Sequence, residues 1–322
     1  MNRREAALLL AAGALGATGA RAQTYPSHVV KIINPFPPGS PVDVVARLVA
    51  QKFQEAWGQS VIVDNKAGAG GTVGAEFVAK APPDGYTLLV TSASTHVIAP
   101  VLRKSLPYDA LKDFTPIALV AHGPTAIVVH PSLPVHTLAE FVQYAKAHPG
   151  KIAYASSGPG TILHLSGELF AWKTGTELLH VPYKGAVPAS TDLLAGQVQA
   201  MFDSISNSAP QVKAGKLRAL AVLTPARSPL MPDVPTAAEL GFEGLEFPAW
   251  IGLFAPAGVP RDVVTQCTKA LQTMMAQPDS RERLVQSGLV PANVTEGEFA
   301  KLIAANQKVV GELVRKAAIP LQ

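Results

Sequence analysis

Cysteine and charged residues are scarce in this sequence. Cys267 is the single cysteine among 322 residues, which excludes an internal disulfide, a C-x-x-C redox site and a zinc site built from several cysteines. Only 16% of the residues are charged, whereas 48% are hydrophobic. A disordered chain needs the opposite balance, with few apolar residues and a high net charge. The composition therefore indicates a folded protein.

The sequence also lacks the short motifs of common catalytic chemistry. It has no G-x-S-x-G nucleophile elbow, no H-E-x-x-H zinc motif and no G-x-x-x-x-G-K-[ST] phosphate loop. Its eight histidines stand singly, and Gly68, Gly70 and Gly74 have the wrong spacing for a dinucleotide fingerprint. We therefore predict no metal site, no cofactor and no enzymatic activity. A secreted enzyme that acts on a small metabolite is the alternative.

The first 22 residues have the pattern of a secretory signal peptide. The basic start Met1–Arg4 precedes an apolar run, Ala6–Ala20, and Ala20-Arg21-Ala22 resembles a cleavage site. The run is shorter than the roughly 20 apolar residues of a membrane span. Removing three arginines and one glutamate with this segment lowers the net charge from +4 to +2, which leaves no electrostatic footprint for nucleic acid. We predict an exported protein that does not span the membrane; the sequence leaves the Sec and twin-arginine routes open.

Strands, turns with glycine or proline, and helices alternate along the rest of the chain. Val29–Ile33 reads as a strand, Pro35–Ser40 as a turn, and Val42–Trp57 as a helix with apolar residues at helical spacing. Such alternation predicts an α/β fold in which helices flank mainly parallel sheets. After a strand at Phe247–Phe254 we expect only helices, packed back onto the first sheet.

Two crossings of the chain, near Pro124 and near Pro225, follow from that packing. We predict a discontinuous first lobe from residues 23–124 and 226–322, and a second lobe from residues 125–225. The ligand cleft is expected between the lobes, since ligands of open α/β sheets bind at the carboxyl ends of the strands.

Glycine and hydroxyl residues cluster where predicted strands lead into helices. The four places are Gly39-Ser40-Pro41, Gly70-Gly71-Thr72, Thr91–Thr95 and Ser156–Thr161. Backbone N–H groups and the helix dipole can hold an anion there without Arg or Lys, although helix capping alone explains each cluster equally well. Asp203, after another predicted strand, either accepts a hydrogen bond from a ligand or caps the next turn. Because the clusters fall in both predicted lobes, we favour one shared ligand with carboxylate groups.

A series of segments matches a known family in order and spacing. The segments are Pro35–Gly39 with Asp43, Val63–Gly71, Leu106–Asp109, His164–Phe170, Val181–Gly185, Thr191–Gln197, Met201–Asp203, Lys213–Ala221, Asp233–Thr236 and Ala255–Gly258. They extend over essentially the whole mature chain. The sequence thereby resembles the periplasmic solute-binding proteins of tripartite tricarboxylate transporters, the Bug (Bordetella uptake gene) family.

This resemblance implies a two-lobed, type II-like periplasmic binding protein fold and a periplasmic location. It also implies a monomer that captures a small organic acid for membrane transporter subunits; a ligand-sensing partner of a membrane receptor is an alternative. In such proteins the first lobe holds a carboxylate through backbone groups and water, and the second lobe selects the rest of the ligand. The candidate ligand contacts are Pro38, Gly39, Ser40, Asp43, Gly70, Thr91, Ser92, Ser94, Ser157, Gly160, Thr161, Tyr183, Lys184 and Asp203.

The loop 158–163 departs from the family pattern. It reads Gly-Pro-Gly-Thr-Ile-Leu, where Gly-Asn-Gly-Ser is typical of the family. Pro159 removes a backbone donor, and Ile162 and Leu163 replace hydroxyl residues that are able to face a ligand. These changes favour a less polar ligand, such as an aromatic acid.

Overall fold

The computed structural model describes residues 25–224, 226–247, 249–317 and 319–321. The predicted signal peptide, residues 1–22, lies outside the described residues. Within the described ranges, no helix combines the length and apolar character needed to cross a membrane.

Strands and helices alternate through most of the described chain, as the sequence predicts. Strands β1–β11 are Val30–Asn34, Val61–Asn65, Thr87–Ser92, Phe114–His122, Thr125–Val129, Ala153–Ser156, Leu179–Pro182, Ala200–Ser204, Arg218–Val222, Trp250–Pro256 and Val290–Thr295. Helices α1–α10 are Pro41–Trp57, Thr72–Ala79, Ala99–Leu102, Leu138–Ala147, Ile162–Thr174, Ala186–Leu194, Ile205–Lys213, Arg261–Ala276, Pro278–Gln286 and Glu296–Lys316. Short helical turns precede α2 at Ala69–Gly71 and α3 at Ser94–Ile98, and a third lies at Ala238–Leu240.

The first sheet has the strand order β11-β4-β10-β3-β1-β2 and is covered on both faces. Ile32 of β1 belongs to one apolar core with Phe53 of α1, whereas Ile33 belongs to another with Val78 of α2. Successive residues of a strand point to opposite faces. This alternation explains why adjacent residues of β1, Ile32 and Ile33, are both apolar and buried.

The second sheet has the order β7-β6-β8-β5-β9 and is also covered on both faces. Phe202 of β8 packs in one core with Phe141 of α4. Met201, on the opposite face, packs in another core with Leu193 of α6 and Ile205 of α7. The expected two-lobed α/β architecture is confirmed.

Both sheets are mixed: each has the parallel part that the sequence predicts and an antiparallel part that it does not show. β10 runs antiparallel to β3 and β4, β11 antiparallel to β4, and β5 antiparallel to β8 and β9. β5 and β10 are each the first strand that the chain forms after it passes from one sheet to the other. Such a strand enters its sheet at the edge where neighbouring strands leave, so it must run against them.

The two crossings lie side by side and hold the sheets together. The N–H of Gly123 donates to the carbonyl of Ala249 at 2.8 Å, and the N–H of Leu223 donates to the carbonyl of Thr125 at 2.8 Å. At this edge the last residue of β3 pairs with the second residue of β10, and the last residue of β8 pairs with the first of β5. The carboxyl ends of β3 and β8 therefore both lie at the crossings.

The segment that follows β9 packs on the second sheet, although the expected boundary assigns residues from 226 onward to the first lobe. The N–H of Val222 donates to the carbonyl of Pro235 at 2.9 Å, and the N–H of Ala237 donates to the carbonyl of Val222 at 3.0 Å. Ala237 and Leu245 are buried in the second sheet's core. This segment covers β9, an edge strand whose backbone groups would otherwise be unpaired. The remainder of the lobe division stays a prediction.

The last third of the chain is not wholly helical. β11, which the sequence reading missed, pairs with β4 at the edge of the first sheet. Pro291 interrupts the strand pattern of this segment, and proline is tolerated on an edge strand because one side needs no donor. α8 packs on α1, and α10 packs on β4. The expected return of the C-terminal helices to the first sheet is therefore confirmed.

Gly252 of β10 provides a test of this packing. A methyl group at Gly252 would overlap the buried ring of Phe299 in α10, so we expect Gly252→Ala to lower the free energy of unfolding by about 1–3 kcal/mol. Gly311→Ala is the control, since its nearest neighbour atom is 3.6 Å away, and it should raise stability by up to about 1 kcal/mol. Urea denaturation measures both; equal effects would contradict the packing described.

Candidate ligand-binding site

Three loops come together at the carboxyl ends of β1, β2 and β3. Gly71 lies where they meet: a Cβ there would be 2.7 Å from Cγ2 of Thr95 and 3.0 Å from Cζ of Phe36. Gly74 is similarly close to Pro35, because a Cβ at Gly74 would lie 2.7 Å from the side chain of Pro35. Glycine permits this close approach because it has no side chain. The three predicted first-lobe clusters are therefore neighbours.

Asp43 holds two of these loops in place. It is 4% exposed and accepts hydrogen bonds from the Nδ2 atoms of Asn34 and Asn65, each at 3.2 Å. It also accepts from the N–H of Gly39 and from Nε of Arg47, each at 2.9 Å. Burial raises the pKa of the carboxyl, but the hydrogen bonds outweigh burial and keep the pKa below its ordinary value. Asp43 thus organises the loops, and its direct contact with a ligand stays a prediction.

The start of α1 has few free donors. Ser40 caps the helix, since its Oγ accepts the N–H of Asp43 at 3.2 Å, and Pro41 has no N–H. The N–H of Gly39 donates to Asp43, and the N–H of Ser40 donates to the carbonyl of Pro37 at 3.3 Å. An anion at Gly39 and Ser40 would have to displace these acceptors.

The turn Ala69–Gly71 does have free donors. Ala69 and Gly70 are left-handed, with φ of +47° and +69°. Among the described residues, the N–H groups of Ala69 and Gly70 have no acceptor. Nη2 of Arg103 donates to the carbonyl of Ala69 at 2.6 Å, which places a cation beside the turn. Two unpaired N–H groups next to a guanidinium are suited to a carboxylate.

Hydroxyl groups surround the end of β3. The Oγ1 atoms of Thr91 and Thr95 are 2.8 Å apart, and Oγ of Ser92 accepts the N–H of Ser94 at 3.3 Å. Thr91 and Ser92 are buried, whereas Ser94 is half-buried. His96, in the same loop, is fully buried, and its burial lowers its pKa to about 3. Ser94 is therefore the predicted contact that a ligand reaches most easily in this loop.

In the second sheet, the loop 156–161 leads from β6 into α5. Thr161 caps α5, since its Oγ1 accepts the N–H of His164 at 3.4 Å. The N–H of Gly160 donates to Nδ1 of the same histidine at 3.1 Å. Ser157 is half-buried, and its hydroxyl has no partner among the described residues. Ser157 thus presents the free polar side chain of this loop.

Three predicted contacts differ in how they are placed. Tyr183 donates through its hydroxyl to Oδ2 of Asp192 at 2.7 Å, and burial, with that carboxylate, raises the pKa of Tyr183 to about 12. Lys184, next in the chain, is exposed, and so is Pro38 in the first-sheet loop. Tyr183 is therefore tied to its own lobe, whereas Lys184 and Pro38 remain accessible.

Asp203 is fully buried at the end of β8. It accepts hydrogen bonds from the N–H of Ser204 at 2.8 Å and from Nδ2 of Asn207 at 2.7 Å. Burial raises the pKa of Asp203 to about 7. The structure matches the turn-capping alternative, because a ligand contact would require the carboxyl to become exposed.

Ile162 and Leu163 are half-buried and pack against two apolar clusters. Ile162 lies against the apolar cluster that includes Val97 and Ile303, and Leu163 lies against the cluster of Met201. Part of each side chain is used in packing, and the preference for a less polar ligand stays a prediction.

The sequence reading missed the pair His164 and His180. Their rings stack with centroids 4.1 Å apart, yet the residues lie on α5 and β7 and share no local pattern. Asn34 and Asn65, which hold Asp43, had a readable signal: each polar side chain ends an apolar strand.

Comparisons with known proteins show the family of this chain. Residues 45–319 match the family described as "Tripartite tricarboxylate transporter family receptor". The chain belongs to this receptor family. It is 40% identical over 297 residues to the UPF0065 protein in the tcbD-tcbE intergenic region of Pseudomonas sp. strain P51, covering 91% of this chain and 88% of the relative. It is 35% identical over 302 residues to Protein BugT of Bordetella pertussis, covering 94% and 93%.

Solved structures of similar receptors extend the comparison. The R. palustris protein Rpa4515 with adipate has a TM-score of 0.84 at 33% identity, covering 92% of this chain and 99% of that one. MatC (Rpa3494) of Rhodopseudomonas palustris with bound malate has a TM-score of 0.79 at 35% identity, covering 90% and 100%. The resemblance to the Bug family is confirmed, and the relatives are solute-binding receptors rather than enzymes.

The buried carboxylate of Asp43 can be tested by truncation. Asp43→Ala leaves the buried amide of Asn34 and the N–H of Gly39 without an acceptor, so we expect the free energy of unfolding to fall by about 2–4 kcal/mol. Asp64→Ala is the control, since Asp64 is 41% exposed and pairs with Lys66 at 3.3 Å; it should cost less than about 1 kcal/mol. Urea denaturation compares them, and similar losses would refute the organising role of Asp43.

Asp203 should make stability depend on pH. The pKa of Asp203 in the folded chain, about 7, lies above its ordinary value of 3.8. The folded state therefore binds the extra proton, and the stability that this group contributes is lost as the pH rises between those values. Asp203→Asn cannot ionise, so its stability relative to wild type should increase over that range by up to about 4 kcal/mol. Denaturation at several pH values measures the difference; a difference that stays constant with pH would show that Asp203 titrates normally.

Proposed function

We propose that this protein is exported to the periplasm and there binds a small dicarboxylate as a monomer. It then delivers the ligand to the membrane subunits of a tripartite tricarboxylate-type transporter, without a metal or a cofactor. The resemblance stated from the sequence and the receptor family support this function. The sequence predicts a small organic acid as the ligand, and a dicarboxylate is a more specific class of organic acid.

The turn Ala69–Gly71 is the observation that carries the proposal. A carboxylate at this turn accepts the free N–H groups of Ala69 and Gly70 while it lies near the guanidinium of Arg103. A cation and an anion about 4 Å apart attract each other by about 1 kcal/mol in water and about 4 kcal/mol near a protein surface. The neighbouring carboxylate of Asp43 pairs with the guanidinium of Arg47 at 2.9 Å, which offsets its charge and weakens its repulsion of the ligand.

The start of α5 supports a site for a second carboxylate. The first N–H groups of a helix have no partner within the helix, and Thr161 caps only the N–H of His164. Among the described residues, the N–H groups of Ile162 and Leu163 therefore have no acceptor. The positive end of the helix dipole favours an anion there. One anion site on each sheet fits a dicarboxylate, and adipate and malate are the ligands named for two similar receptors.

Closure of the two sheets on the ligand follows from the crossings. The connection between β4 and β5 is only two residues long, which suits a hinge. A ligand held by both sheets stabilises the closed state by its differential affinity for that state. The closed state is then the form that the transporter recognises.

A matched pair of ligands tests the proposed class. Adipate and hexanoate have the same chain length and differ in one carboxylate. A ligand that binds only the folded state raises the melting temperature, by an amount that grows with concentration above Kd. We expect adipate, malate or another short dicarboxylate to stabilise residues 23–322, and hexanoate to have no effect. Equal stabilisation by hexanoate, or none by any dicarboxylate of three to six carbons, would overturn the proposal.

A negative charge at Gly70 tests the position of the first carboxylate. Gly70 is exposed and left-handed, and the nearest atom to a Cβ there is Nη2 of Arg103 at 3.9 Å. We expect Gly70→Asp to weaken dicarboxylate binding about fivefold or more, because two like charges near 4 Å repel by at least about 1 kcal/mol.

Gly258→Asp is the matched control for Gly70→Asp. Gly258 is also exposed and left-handed, with φ of +83° and no atom within 4 Å of a Cβ. The Gly258→Asp variant should bind the dicarboxylate with the same affinity as the wild type. Isothermal titration calorimetry measures all three proteins, and unchanged affinity of Gly70→Asp would remove this turn from the site.

A further inference from the structure

Two imidazoles lie together behind the loop 156–161. His164 is in the first turn of α5 and His180 is in β7, and their rings stack at 4.1 Å with an interplanar angle of 26°. The ring of Tyr154 also stacks on His180, with the centroids 5.0 Å apart. His164 is buried and His180 is half-buried, and burial lowers the pKa of each to about 4. The pair is therefore neutral at pH 7.

Each imidazole holds one part of the loop. Nδ1 of His164 accepts the N–H of Gly160 at 3.1 Å. Nε2 of His180 lies 2.6 Å from Oγ of Ser156, and that oxygen accepts the N–H of Gly158 at 3.1 Å. Together these bonds fix the backbone on both sides of Pro159.

The hydrogen bond to Gly160 determines the tautomer of His164. An N–H can donate only to a ring nitrogen that carries no proton, so Nδ1 is bare and the proton is on Nε2. Nε2 faces Oε1 of Glu168 at 3.7 Å, and the hydroxyl of Tyr154 donates to the same oxygen at 2.6 Å. Glu168, Tyr154 and His180 are the titratable groups that face His164, and their arrangement keeps the proton on Nε2.

We propose that His164 is a positioning residue for ligand binding, which acts by accepting the N–H of Gly160 at a bare Nδ1. The bond holds the loop so that Ser157 and the first N–H groups of α5 point to one ligand carboxylate. This inference rests on the proposed function for its effect on affinity. The bond itself does not depend on that function.

Two substitutions separate the acceptor from the bulk of the ring. Asn places its side-chain oxygen near the position of Nδ1, whereas Gln places its amide near Nε2. We expect His164→Asn to keep dicarboxylate affinity within about threefold of wild type, and His164→Gln to weaken it about tenfold, the effect of one lost hydrogen bond. If His164 only stabilised the fold, both substitutions would change the dicarboxylate affinity by the same factor. Equal affinities of the two variants would overturn the proposal.

Amide hydrogen exchange at Gly160 gives a readout that needs no ligand. The N–H of Gly160 should be protected in wild type and in His164→Asn, and should exchange about tenfold faster in His164→Gln. If dicarboxylates fail to bind wild type while this pattern holds, the proposed function fails and the positioning bond stands. If Gly160 exchanges equally fast in all three proteins, the positioning role is wrong.

Nitrogen NMR of the wild type covers the case in which a variant does not fold. The expected spectrum at pH 7 shows His164 with its proton on Nε2 and a scalar coupling between Nδ1 and the amide nitrogen of Gly160. A proton on Nδ1, or no such coupling, would contradict the proposal.

Discussion

The two crossings of the chain between the sheets determine where a ligand can be held. Gly123, paired with Ala249, and Leu223, paired with Thr125, keep the crossings adjacent. Each strand that enters a sheet there runs against its neighbours, so β3 and β4 of the first sheet and β8 and β9 of the second end at the crossings. Loops after those strands are the places where a chain of this topology can present groups to one ligand.

The two sets of loops are held by buried polar groups of different chemistry. In the first sheet, the carboxylate of Asp43 stays charged, because four donors satisfy it. In the second sheet, neutral imidazoles hold the loop, and His164 accepts the N–H of Gly160. A buried polar group that is fully paired fixes a loop, since losing the pair costs the desolvation of both partners. These buried pairs therefore fix both sets of loops.

Local signals in the sequence predicted much of the fold. Ser40 and Pro41 marked the start of α1 correctly, and apolar spacing predicted the C-terminal helices. The direction of β5 and β10 and the edge strand with Pro291 depend on which segments meet in space, so no local pattern shows them. The site was predictable as a set of loops but not in its internal bonds. Gly39 and Ser40 looked like free donors because the sequence could not show that Asp43 and Pro37 accept their N–H groups.

The account depends most on one ligand being shared by both sheets. A crystal structure of residues 23–322 with adipate tests this directly. We predict one bound molecule, with one carboxylate on the N–H groups of Ala69 and Gly70 and the other at Ser157 and the start of α5. Adipate with both carboxylates on a single sheet, or bound away from the strand ends, would contradict the account.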